Sequence, residues 1–130
     1  MNSYCTYFNH NANPKKKKTG DCVIRALATF TGKDYEEVYR ALFEISLKTG
    51  YILNDKRVYE KYAEQIGLVK HKQPRKLDGT KYLVGELPQI AYGQRAIVSL
   101  ANHLTCIDEN GRVIDIWDCR RKTIGNYWTY

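Results

Sequence analysis

The sequence predicts an α+β domain in which amino-terminal helices pack on a carboxy-terminal antiparallel β-sheet. Three observations carry this expectation. Apolar residues recur at helical spacing between residues 21 and 67, short β-branched and aromatic runs follow from Arg95 onward, and 130 residues suffice for one hydrophobic core but not for two. An apolar fraction of 43% and a charged fraction of 27% exclude collagen-like, disordered and disulfide-scaffold classes.

Residues 1–20 hold Asn9, Asn11, Asn13, Pro14, a lysine run at 15–18 and Gly20, the composition of a solvated basic arm, so the domain proper is expected over 21–130. The first helix begins at Asp21, which can cap it, carries Val23, Ala26, Leu27 and Phe30 on one stripe, and stops at Gly32. The second is announced by Asp34 with Glu37 three residues on, a capping-box spacing, and runs through Val38, Leu42 and Ile45 to Gly50. Asn54 or Asp55 caps the third, whose stripe is Val58, Tyr59, Tyr62 and Ile66 and whose stop is Gly67. Between residues 68 and 94 the signals are mixed: a basic cluster, a turn at Asp78 and Gly79, and an apolar stretch broken by Pro88. Strands are expected over 96–100, 103–107, 112–117 and 124–130, as an antiparallel meander.

The net charge of +7 is concentrated in two places, the 15–18 run and the cluster Lys70, Lys72, Arg75 and Lys76 around His71. Such a surplus attracts nucleic acid or an acidic protein. No apolar run approaches the roughly 20 residues that span a bilayer, and the amino terminus lacks the succession of a secretory signal, so a cytoplasmic protein with no membrane partner is expected. Cys5, Cys22, Cys106 and Cys119 are spread without the paired spacing of a zinc site. They read as free thiols, with no metal and no cofactor.

Cys22 falls in the first turn of the first helix, where unpaired N–H groups and the helix dipole favour a thiolate. Of His10, His71 and His103, only His103 opens a well-defined strand. The segment from His103 to Asp118 reads as a hairpin turning at Asn110 and Gly111. With a two-residue loop His103 stands opposite Asp118, which can hold the imidazole; a three-residue loop shifts the parity and puts Asp115 there instead. A helix-borne thiol, then a strand-borne imidazole, then a carboxylate is the set that nucleophilic thiol catalysis requires.

The motif Thr-Gly-Asp-Cys-Val-Ile-Arg-Ala-Leu-Ala from Thr19, with Asn-His-Leu-Thr-Cys-Ile from Asn102, Ile-Asp-Ile-Trp-Asp from Ile114 and the closing Gly-Asn-Tyr-Trp, resembles the small papain-like cysteine peptidase domains of bacteriophages and bacteria. That group is related in layout to bacteriocin-processing and cell-wall peptidases, and the likeness runs from Asn9 to Trp128. It implies a papain-like fold, Cys22 as nucleophile, His103 as general base and then acid, Asp118 as the group fixing the imidazole, and a protein or peptide substrate. A phage origin would place the chain in the host cytoplasm. Papain-like enzymes complete their oxyanion hole with a Gln several residues before the nucleophile, whereas the first Gln here is Gln65. Asn13 is the candidate in its place, with Asn11 or a lysine of the 15–18 run as alternatives, and that run would border the cleft and steer an acidic substrate.

Taken singly, each residue has a plainer role. Cys22 could pack as a small hydrophobe, His103 could be a satisfied strand residue, and Asp118 could end a strand. The contrasting functional class is a non-catalytic basic binding module, such as a phage-encoded inhibitor or a nucleic-acid-associated protein, that contacts phosphates through the two basic clusters.

Overall fold

The computed structural model describes residues 4–130, so the first three residues of the expected arm lie outside it. In chain order the elements are β1 (Thr6–Asn9), α1 (Cys22–Thr31), α2 (Tyr35–Thr49), α3 (Lys56–Gln65), β2 (Val69–His71), a 3-10 helix (Val84–Gln89), β3 (Ala96–Leu100), β4 (His103–Ile107), β5 (Arg112–Asp115) and β6 (Tyr127–Thr129). The fold is α+β. Among the described residues no helix is long and apolar enough to cross a membrane.

The three helices form where the apolar stripes lie. Gly32 closes α1 and Gly50 closes α2 in the left-handed conformation, each returning its N–H to the carbonyl four residues back. The starts differ from expectation. Asp55 caps α3 by accepting from the Arg57 N–H, but neither Asp21 nor Asp34 caps with its side chain. Glu37 points back to Lys33 rather than closing a capping box, and the Asp21 carboxylate is drawn into a buried ion pair described below.

The sheet has six strands in the order β1-β5-β4-β3-β6-β2 and is mixed, not an antiparallel meander. β3, β4 and β5 are consecutive antiparallel neighbours, β6 returns to pair with β3, and β2 flanks β6. The parallel strand is β1, paired to β5 from Thr6 opposite Arg112 to Asn9 opposite Asp115. Residues 6–9 are therefore part of the sheet and not of a solvated arm. Cys5, just before them, is 1% exposed.

One core lies between the helices and the sheet, with Leu27, Phe30, Leu42 and Val58 against Ile97, Leu104 and Trp128. The second face is covered too, by Val84, Leu87 and Ile124 packed on Val98, Ile107 and Val113. The stretch of mixed signals thus supplies the 3-10 helix, with Pro88 inside it, as the lid of the second core.

The β4–β5 hairpin sets the position of the site. Cys106 pairs with Ile114 and Ile107 with Val113, which leaves Glu109, Asn110 and Gly111 as a three-residue loop. Asp108 fixes this loop: its Oδ1 accepts from the N–H groups of Asn110 at 3.0 Å and Arg112 at 2.9 Å. Gly111 takes a φ of +74°, the left-handed position that such loops require.

Candidate active site

Cys22 is the first residue of α1 and His103 the first of β4. Packing of α1 on β4 brings both onto the wall of one cleft of about 500 Å³, which Val23, Tyr59, Leu100 and Asn102 also line. Burial alone would raise the Cys22 thiol. Its hydrogen bond with His103, a backbone hydrogen bond at Leu104 and the positive charges of His103 and Arg25 outweigh burial, and the thiol lies below its ordinary value. Burial likewise disfavours a charged His103, but hydrogen bonds and charge from Asp115 and Cys22 push the imidazole up to about 9. Opposite shifts in a neighbouring thiol and imidazole move the pair toward its thiolate–imidazolium form.

The carboxylate behind the ring is Asp115. Its Oδ2 lies 2.6 Å from His103 Nε2, which leaves Nδ1 for the thiol. Asp118, the residue expected from a two-residue turn, is not there: its side chain is 42% exposed and forks onto Arg120 at 2.9 and 2.8 Å. The cause is the loop fixed by Asp108. Continued by one residue, the observed register puts Asp115 opposite Thr105, on the strand face that His103 shares.

Asp115 is almost fully buried, and all its acceptor capacity is used. Oδ2 accepts from Thr105 Oγ1 at 2.7 Å as well as from the imidazole, while Oδ1 accepts from the Ile116 N–H at 2.7 Å and from Arg25 Nη1 at 3.0 Å. Burial would raise its pKa, but His103, Thr105 and Arg25 hold it below the usual carboxylate value. β1 secures the backbone at the same point: the His10 N–H and the Tyr7 hydroxyl donate to the Asp115 carbonyl at 3.0 and 3.1 Å.

Arg25 extends this arrangement across the base of α1. It is 7% exposed and its Nε donates to Asp21 Oδ1 at 2.8 Å, one helical turn back. The other Asp21 oxygen accepts from Tyr35 Oη at 2.8 Å and from Asn13 Nδ2 at 3.0 Å. Asn13 is therefore not placed as the second oxyanion donor: its amide nitrogen serves Asp21 and its Oδ1 accepts from the Lys15 N–H. Nor do lysines of the 15–18 run border the Cys22 cleft. Lys15, Lys17 and Lys18 line a separate groove against α2, while Asn11 donates its amide to the Lys17 carbonyl.

The remaining cysteines are inert by comparison. Cys5, Cys106 and Cys119 are at most 1% exposed, and burial pushes Cys5 and Cys119 up to about 12 and Cys106 upward as well. Ligand atoms of His103, Asp115 and Cys119 lie within 4.8 Å of one another. They fit a metal poorly, because the Asp115 oxygens and the His103 Nε2 already bond each other, Thr105 and Arg25, and burial keeps the Cys119 thiol protonated.

Two of the four cations of the second basic cluster are paired within the fold. Lys70 pairs with Glu60 at 2.6 Å, Lys76 pairs with Glu86 at 2.9 Å, and His71 stacks on Tyr127.

Three contributors escaped the sequence reading. Trp117 stands edge-on to the His103 ring at 5.0 Å between centroids, and Thr105 and Arg25 hold Asp115. Arg25 had a legible signal, a lone charge among Val23, Ile24, Ala26 and Leu27, one turn after Asp21. Trp117 and Thr105 had none, since their roles follow from the hairpin register. No family model, curated protein or solved structure matches the chain.

Proposed function

We propose that the chain is a thiol enzyme of papain-like layout that acts on amide or thioester carbonyls of a protein or peptide substrate. The observation that carries this reading is the placement of Cys22 and His103 on the wall of one cleft with Asp115 behind the imidazole, and the downward shift of the thiol and upward shift of the imidazole accord with it. Its order along the chain, helix thiol before strand imidazole before carboxylate, matches the resemblance noted in the sequence.

In this mechanism the Cys22 sulfur attacks the carbonyl carbon and forms a C–S bond, and the oxygen takes the negative charge. The Cys22 backbone N–H, free of any helical acceptor at the start of α1, donates to that oxyanion. Protonated His103 gives its proton to the departing nitrogen as the C–N bond breaks, leaving an acyl-enzyme. The neutral ring then takes a proton from water, whose hydroxide attacks the acyl carbon, and the sulfur departs as thiolate. Asp115 stays ionised throughout and stabilises the imidazolium. Ammonia leaving from a glutamine side chain makes the same sequence a deamidation, and an amine in place of water makes it an acyl transfer.

A reading as a non-catalytic basic module draws on the lysine arm, but it leaves the downward shift of a partly exposed thiol without a purpose. The two readings separate with p-nitrophenyl acetate. The thiol enzyme releases a burst of about one p-nitrophenolate per chain and gains one acetyl group on Cys22 by intact-mass analysis, both lost in Cys22→Ala. Absence of burst and adduct in the folded wild-type chain counts against the enzyme.

A further inference from the structure

A groove of about 780 Å³ between the arm and α2 is larger than the Cys22 cleft. Its floor is aromatic, with Tyr35, Tyr39 and Phe43 one helical turn apart along α2. The stripe continues beyond the groove to Leu47. Tyr39, Phe43 and Leu47 are 44%, 49% and 69% exposed, while a second stripe of α2, Val38, Leu42 and Ile45, fills the core. A helix with two apolar stripes has one more than its own fold uses.

The rims of the groove are cationic. Lys15, Lys17, Lys18 and Arg40 line it against a single acid, Glu36. Among the described residues none of these four cations enters an ion pair, in contrast to Lys70 and Lys76 of the other cluster. The arm that carries the lysines is held in shape by its own asparagines. Asn13 Oδ1 accepts from the Lys15 N–H at 2.9 Å, its carbonyl accepts from the Lys16 N–H at 2.9 Å, and the Asn11 amide donates to the Lys17 carbonyl at 2.9 Å. A wall ordered before binding costs little further entropy when a ligand arrives.

We propose that this groove docks an acidic peptide segment bearing large apolar side chains, carried by a partner or substrate protein. The apolar side chains of the peptide lie on Tyr39, Phe43 and Leu47, and its carboxylates face the lysine wall and Arg40. A peptide fits better than a nucleic acid. Leu47 offers no ring for a base to stack on, and in the other basic cluster, which would extend a phosphate track, Lys70 and Lys76 are already paired with Glu60 and Glu86. The groove also touches the catalytic scaffold from behind, since Asn13 and Tyr35 in its floor both donate to Asp21, the carboxylate that grips Arg25. The docking itself does not depend on the thiol-enzyme reading.

The test pans a library of random 12-residue peptides on phage against immobilised full-length Cys22→Ala protein. The peptide showing the strongest enrichment, synthesised with a fluorophore, is then titrated by anisotropy, with a 20-residue oligothymidylate as the nucleic-acid probe. The expected result is enrichment of sequences holding several Asp or Glu with aromatic or large aliphatic residues. Their affinity should fall at least about tenfold in Phe43→Glu and, independently, in Lys17→Gln/Lys18→Gln, both folded by circular dichroism, and should fall at 0.5 M salt. Enrichment without acidic bias, no enrichment, or peptide binding unchanged in both variants overturns the proposal. So does oligothymidylate binding that is tighter than the peptide's and is lost in the same variants. Because Cys22 is absent from the protein used, a failure of docking is read separately from a failure of catalysis.

Discussion

His103 Nε2 and Asp115 Oδ2 lie 2.6 Å apart, and the same Asp115 carboxylate accepts from Arg25 through its other oxygen. One buried side chain thus fixes the imidazole and closes the ion pair at the foot of α1. The partition of roles between Asp115 and Asp118 follows directly. Asp115→Asn should slow Cys22 acylation by p-nitrophenyl acetate by about a hundredfold or more, the usual range for losing acid–base function. Asp118→Asn removes an exposed contact with Arg120 and should change the rate less than about twofold, with a thermal midpoint close to wild type.

The imidazole titration offers a check that needs no substrate. Asp115 and Cys22 together hold His103 up to about 9, so its ring-proton NMR signals should stay in the protonated position through neutral pH and move near pH 9. In Asp115→Asn the raising partner is gone while burial remains, so the transition should move to lower pH. A wild-type midpoint near the ordinary value of 6.5 would contradict the geometry.

Arg25 is the keystone of the buried charges. Arg25→Ala leaves Asp21 ionised and buried without a cation and Asp115 with His103 as its sole charged partner, and breaking a buried pair in this way typically costs about 3–5 kcal/mol. Urea unfolding should show this loss as a lower midpoint with an unchanged slope. Arg25→Lys keeps one charge but not the two-armed bridge, so it should recover only part of the stability.

Acid should undo the same network. Folding lowers the pKa values of Asp21 and Asp115 from their ordinary 3.8, against the effect of burial in both cases. Groups lowered by folding contribute stability that is present above the unfolded value and lost as pH falls through the folded one. The wild-type thermal midpoint should therefore drop below about pH 4, and Arg25→Ala should flatten that drop.

Much of this was legible in the sequence, and the failures share a physical cause. α1, its stop at Gly32 and the pairing of Cys22 with His103 follow from local periodicity and from the order of elements. The third residue of the site did not, because a strand reverses its faces with every residue and the loop length hung on one side chain. Asp108 captures the N–H groups of Asn110 and Arg112, turning an apparent two-residue turn into a three-residue loop and Asp115 inward in place of Asp118. β1 was hidden because its four residues are short, mostly exposed and paired in parallel with β5, a partner some hundred residues away. Asn13, expected as the second oxyanion donor, instead gives its amide to Asp21.

The most direct measurement is the rate of iodoacetamide alkylation of each cysteine in the folded protein from pH 5 to 9, mapped by mass spectrometry. The account predicts that Cys22 alone reacts and stays fast well below the pKa of about 8.5 of a free thiol, and that His103→Ala returns it to a profile climbing about tenfold per pH unit toward that value. A wild-type Cys22 that already climbs in this way, or reacts no faster than Cys5, Cys106 and Cys119, would contradict it.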